Sequence, residues 1–196
     1  MSTILKLTIT SPVQAFSEPV TLSEIKAALG IPDIDNSRDV LLDAYAPAAR
    51  EVAEVCQQRD LVAKQWDMYF SYFPCNWHPI NLRDNVTSIE TFRYRNSAGT
   101  YTTMVAGTDY QFDSALSVLT PISNGIWPTA DLWPSSAIEI QFTVTPPAIP
   151  ARLKRGILAL ISLWDSNQVP SELGASAVQN YPFMLSLLEI GRREIV

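Results

Sequence analysis

The segment Ile149 to Asn167, IPARLKRGILALISLWDSN, constrains the fold more than any other stretch of the chain. Leu153, Ile157, Leu160, Ile161 and Trp164 recur at helical spacing, so a helix from Pro150 to Asn167 gathers them into one apolar stripe that has to be buried. Pro150 suits the first turn, where a missing N–H costs nothing. Arg152, Lys154 and Arg155 follow at once and oppose the helix dipole by roughly a few tenths of a kcal/mol each, so helix stability does not explain them. Two readings stay open: a solvated basic edge on a core helix, or a set of cations placed for a partner or a carboxylate.

Two more helices are predicted before it. Thr21 is an N-cap with Glu24 three residues on, the capping-box spacing, and LSEIKAAL then runs to Gly30, a natural stop. The turn PDIDNSRD leads into a longer pattern from about Ser37 to Gln58, in which Leu41, Tyr45, Ala48, Val52 and Val55 or Cys56 share a face. Pro47 should kink or interrupt that helix near Asp43 to Ala46.

The pattern changes after Arg59. LVAKQWDMYFSYF alternates in part and is rich in β-branched and aromatic residues, VTSIETFRYRNSAGTYTTMV reads as a hairpin turning at Asn96 to Gly99, and DYQFD, ALSVL and AIEIQFTVT supply further strands. The middle of the chain is therefore predicted to be an antiparallel β-meander, closed by Pro146, Pro147 and Pro150. Beyond Asn167, QVPSELGASAVQN has loop composition, and a last helix is predicted from about Pro182 to Arg193. The end, Arg192, Arg193, Glu194, Ile195, Val196, either frays or serves as a docking tag.

Composition then narrows the function. The 196 residues, 47% hydrophobic and 17% charged, can bury a sizeable core, and a net charge of -6 argues against a surface that grips nucleic-acid phosphates or an anionic membrane. Met1 to Thr10 is too short in apolar residues for a secretory signal, so a soluble intracellular product is expected. Cys56 and Cys75 do not make a disulfide framework, and with His78 they fall short of a zinc site.

The search for chemistry returns little. A serine triad would have to use the single histidine, His78, and the Gly174 to Val178 segment lacks the closing glycine of a nucleophile elbow. Neither a P-loop nor a dinucleotide fingerprint is present. Asp33, Asp35, Ser37 and Asp39 imitate a calcium loop, but Arg38 stands where glycine is needed and Ala44 where a bidentate Glu belongs, so an Asx-rich start to the second helix explains them better. A carboxylate pair for glycoside hydrolysis has no sequence signature, and Trp77, Trp127 and Trp133 either line a groove or pack a core edge. No catalytic residue, cofactor or metal is assigned.

The order of segments resembles the head-tail connector (adaptor) proteins of long-tailed bacteriophages and prophages. The resemblance runs from Pro19, Val20, Thr21, Leu22, Ala27 and Leu29 through Leu41 to Glu54, then Leu61, Gln65, Trp66, Phe73, Pro74, Ile80 and Leu82. It continues through Val86 to Ile89, Tyr94, Gly99 and Asp109 to Phe112, and ends with Ile138 to Val144, the helix at Pro150 to Asn167, and Pro182 to Arg192. The ordered series carries it, since each motif alone is an ordinary helix or hairpin signal. Departures are Gln57-Gln58-Arg59-Asp60, where a Thr-Gly-Arg-Ala type of turn is usual, Pro47 in the second helix, and Thr145-Pro146 where glycine is common.

The resemblance implies an α+β protomer: a small helical bundle of two N-terminal and two C-terminal helices, with the β-meander inserted. The expected division is an extension at 1–18, a helical connector core from 19–60 and 148–196, and a β-region at 61–147. It further implies a virion structural protein and no enzyme. Copies would form a ring, typically twelvefold, under the portal protein, extend the DNA channel without binding the duplex specifically, and meet a stopper or tail-completion protein on the far side, with no membrane involved. Leu187, Leu188, Arg192, Arg193, Ile195 and Val196 are the candidates for portal docking, and Arg152, Lys154 and Arg155 for contact between protomers. Two alternatives are another virion module, of tail-completion or baseplate type, and a small hydrolase or carbohydrate-binding protein.

Overall fold

The computed structural model describes residues 4–11, 18–75, 77–122, 125–128 and 131–167. The fold is α+β and separates into two compact units, a helical one and a sheet one.

The described helical unit comes from residues 18–62 and 147–167, on either side of the central part of the sheet unit, whose first strand precedes both. Helix α1 (Leu22–Leu29) begins with the expected capping box: the Thr21 hydroxyl accepts from the Glu24 N–H, and the Glu24 carboxylate accepts from the Thr21 N–H at 2.9 Å. Gly30 ends it at φ 69°, in the left-handed region. Helix α2 (Asp39–Gln57) runs through Pro47 without a break. Proline cannot donate to the carbonyl four residues back, but that carbonyl belongs to exposed Asp43, where water can take the bond. Its C-cap is Gln58, held at φ 54° where the resemblance leads one to expect glycine.

Helix α3 (Ala151–Asn167) buries the stripe read from sequence, with Leu153, Ile157, Leu160, Ile161 and Trp164 all at 5% exposure or less. The α2 face keeps Tyr45 from the expected set, with Ala48, Val52 and Cys56 partly buried against the same core, but is centred on other residues. Leu42, Tyr45, Ala46, Ala49 and Ala53 are buried, while Leu41 and Val55 are exposed. Three alanines give α2 a shallow groove that bulky α3 residues fill in one shared core, and Tyr45 meets Trp164 edge-on at 5.9 Å. Alanine carries little hydropathy, which is why the expected stripe omitted Ala46, Ala49 and Ala53.

Two buried cations tie this unit together. The Arg50 guanidinium, 7% exposed, donates to Glu18 and Glu54 at 3.0 Å each, and Glu54 also accepts from the Leu61 N–H at 2.9 Å. One side chain thereby joins the segment before α1, the body of α2 and the chain leaving α2. Lys26, 4% exposed, pairs with Asp39 at 2.6 Å and donates to the Asp33 carbonyl and Asn36.

The sheet unit holds two antiparallel sheets. Strands β1 (Ile4–Ser11), β2 (Lys64–Phe70), β4 (Val86–Arg95), β5 (Tyr101–Thr103) and β8 (Ile138–Val144) form one, in the order β1-β2-β8-β4-β5. Strands β3 (Ile80–Asn81), β6 (Tyr110–Asp113) and β7 (Val118–Pro121) form the other, in the order β3-β7-β6. The meander expectation therefore needs correction: β8, last in sequence, lies between β2 and β4. It is the most apolar strand on one face, with Ile138, Ile140, Phe142 and Val144 buried and the alternate residues half-buried, and a central position has the most neighbours to cover such a face. Ile4–Ser11, inside the segment read as an extension, is an edge strand of this sheet.

The hairpin at Asn96 to Gly99 forms as read. Gly99 adopts φ 86°, its N–H donates to the Asn96 carbonyl, and a Cβ there would stand 3.4 Å from the Arg95 guanidinium. Among the described residues no helix is long and apolar enough to cross a membrane.

Two stability outcomes follow. Arg50→Ala leaves Glu54 buried without its cation and should destabilise the helical unit by about 3 kcal/mol in chemical denaturation followed by circular dichroism. Gln58→Gly relieves the left-handed penalty and should raise stability by about 0.5 kcal/mol; a loss would mean that the Gln58 side chain matters more than its backbone.

Candidate interaction surfaces

The cations of α3 divide into two kinds. Lys154 is half-buried and its ammonium pairs with the Glu24 carboxylate of the α1 capping box at 2.5 Å, so it is engaged within the protomer. Arg152 and Arg155 are exposed, and neither has an ion-pair partner among the described residues. The hydrogen bond from Lys154, with that from the Thr21 N–H, holds the Glu24 carboxyl below its ordinary value of 4.5. At the other end of the helix, Arg38 pairs with Asp165.

The acidic turn before α2 is organised around Lys26 and backbone groups. Asp39 and the Asp33 carbonyl face that ammonium, the Ser23 hydroxyl donates to Asp33, and the Ser37 N–H donates to Asp35 at 3.0 Å. Hydrogen bonds from Ser37 hold the exposed Asp35 carboxyl below its ordinary value. Lys26 was the missing term in the sequence reading, because nothing in one dimension shows that a lysine in α1 folds back under this turn. Among the described residues no group of three or more His, Cys, Asp or Glu side chains is arranged to hold a metal ion.

The three tryptophans separate. Trp127 is 2% exposed and stacks on Phe73 at 5.6 Å and 9°, with Phe92 packed edge-on, and its indole N–H donates to the His78 carbonyl at 2.8 Å. It is a core residue. Trp77 is exposed and stacks on His78, whose Nδ1 lies 2.9 Å from the Cys75 carbonyl. Trp133 lies under the Arg95 guanidinium at 4.0 Å, and Arg93 covers Tyr101 at 4.5 Å, giving the β4–β5 hairpin a half-exposed row of alternating guanidinium and aromatic groups.

Helix α2 also exposes apolar side chains, one of which, Val55, was read as an alternative to Cys56 on the buried face. Val40 is 88% exposed and Val55 69%. The docking candidates Leu187, Leu188, Arg192, Arg193, Ile195 and Val196, and the predicted helix that carries them, lie outside the described residues.

No family model matches the sequence, and no curated protein matches it. Solved structures do match, and they share the α+β fold along nearly the whole chain. A chain in the virion of a native gene transfer agent (GTA) particle superposes with a TM-score of 0.67 at 18% identity, covering 98% of this chain and 97% of that one. A chain in the neck of an empty GTA particle, computed with C6 symmetry, gives 0.63 at 17% identity over 93% of this chain and 97% of that one. A chain in the neck of a native GTA particle, computed with C12 symmetry, gives 0.60 at 19% over the same shares.

Glu24 supplies a pH-dependent outcome. Its folded pKa is depressed, so its charge contributes stability above the ordinary value of 4.5 and that contribution is lost as pH falls through the folded value. Glu24→Gln keeps the capping geometry and removes the charge. The variant should be less stable than the parent at neutral pH, and the gap should close in acid; a constant gap would assign the effect to geometry instead.

Proposed function

We propose that the chain is a virion structural protein of the head-tail neck, the connector (adaptor) that assembles as a ring under the portal protein. The observation that supports this most directly is the likeness in fold to chains of GTA particle necks, which takes in nearly all of this chain and 97% of each of those chains. Neck structures computed with C6 and C12 symmetry supply the rotational setting, and twelve copies is the number proposed here. The ring extends the DNA channel, and its far side receives a stopper or tail-completion protein. No reaction and no cofactor belong to this reading.

The charge of the chain suits a conduit. A net charge of -6 avoids a polycationic lining that would hold the duplex against sliding. Residues 19–60 and 148–196 are the connector core and the β-region at 61–147 its insertion. Leu187, Leu188, Ile195 and Val196 dock on the portal by apolar contact, and Arg192 and Arg193 add directional hydrogen bonds.

A truncated chain lacking residues 189–196 tests this. Its protomer should keep the parent's circular dichroism spectrum, and particles built with it should accumulate as DNA-filled heads without tails. Normal tailed particles from the truncated chain would contradict the docking role. In a mobility assay the free protomer should bind duplex DNA weakly at physiological salt, and tight, salt-sensitive binding would contradict the conduit.

A further inference from the structure

Helix α2 turns two unlike faces outward and inward, and the outward one is unusually apolar. Val40, Ala44, Glu51 and Val55 fall on one stripe opposite the buried residues, and all are exposed. A solvent face at these positions is ordinarily charged, so two valines at 88% and 69% exposure suit a partner more than water. Glu51 touches the Arg50 guanidinium only at 3.8 Å and is itself 71% exposed, which leaves most of its charge facing outward, and Asp43 is exposed beside the stripe.

Helix α3 carries the complementary features. The stripe opposite its buried face begins with exposed Arg152 and Arg155 and ends at exposed Ser166, with half-buried Ala159 and Ser162 between them. Both serine hydroxyls donate to carbonyls one turn back, to Leu158 at 2.9 Å and Ser162 at 2.8 Å, so this part of the face is small and already satisfied. A second helix can approach it closely without stranding a donor. Residues 40–55 span about 22 Å and residues 152–166 about 21 Å, so the two stripes match in length.

We infer that the outward face of α2 docks on the Arg152–Arg155 face of α3 in a second copy of this chain, as a head-to-tail contact that repeats around the ring. The inference rests on the ring reading above and adds the surfaces. Self-pairing of α2 faces about a twofold axis would set Glu51 and Asp43 of one copy near those of the other, a like-charge arrangement. The α2-to-α3 contact instead joins carboxylates to guanidiniums and is heterologous, the kind of contact that forms a ring when its rotation closes.

The test uses the full chain in purified particles, with Ala44 replaced by the photo-crosslinker p-benzoylphenylalanine. Illumination should yield multiples of the chain, with the crosslinked peptide drawn from residues 152–166 of another copy. R152E/R155E should lower the yield by about tenfold, and adding D43K/E51K to that variant should restore it. Crosslinks to α2 of another copy, to a different virion protein, or within one copy would overturn the interface while leaving the neck reading in place. Particles that lack the chain altogether would overturn both.

Discussion

The pairing of β2 with β8 is the constraint on which the rest of the molecule depends. The helical core needs α3 beside α1 and α2, yet the sheet unit separates them in sequence. Lys64, at the start of β2, is registered with Val144, at the end of β8, so the strands that open and close the insertion are hydrogen-bonded neighbours. The two ends of residues 64–144 are thereby held side by side within the sheet unit. The same pairing fixes the sheet order. With β8 held against β2, β4 pairs with the other edge of β8, from Val86↔Val144 to Tyr94↔Ile138, and a sequential meander is no longer available.

What was legible in the sequence follows from how strongly side chains announce their surroundings. The α3 stripe and the alternation of Ile138, Ile140, Phe142 and Val144 use large aliphatic and aromatic residues on one face only, and both elements formed where they were read. The Thr21 and Glu24 capping box is a local hydrogen-bond pattern with little freedom to be anything else. The α2 face was read only in part, because Ala46, Ala49 and Ala53 line the groove with little hydropathy to announce them while Leu41 and Val55 look outward. Long-range charge pairing was not legible: nothing in the sequence joins Lys154 to Glu24, or Arg50 to Glu18, whereas Arg50 and Glu54 stand at helical i,i+4 spacing.

The same discrepancies carry the functional reading. A residue that breaks the local pattern without supporting the fold is a candidate for a contact outside the chain. Lys154 supports the fold, and Arg152 and Arg155 have no such role among the described residues. Val40 and Val55 lie on the wrong side of α2 for the core, and the aromatic and guanidinium row on the β4–β5 hairpin lies at a sheet edge. These surfaces support the proposed interaction role.

Symmetry is the central element of the proposed ring, because a head-to-tail contact between unlike faces closes on itself or continues as a filament. Electron cryomicroscopy of the particle that contains this chain, reconstructed at the head-tail neck with rotational symmetry applied only after alignment, reads that element directly. The expected result is one ring of copies of this fold between portal and tail, with α2 of each copy against α3 of the next. A neck that contains no such ring, or density for this fold elsewhere in the particle, would contradict it.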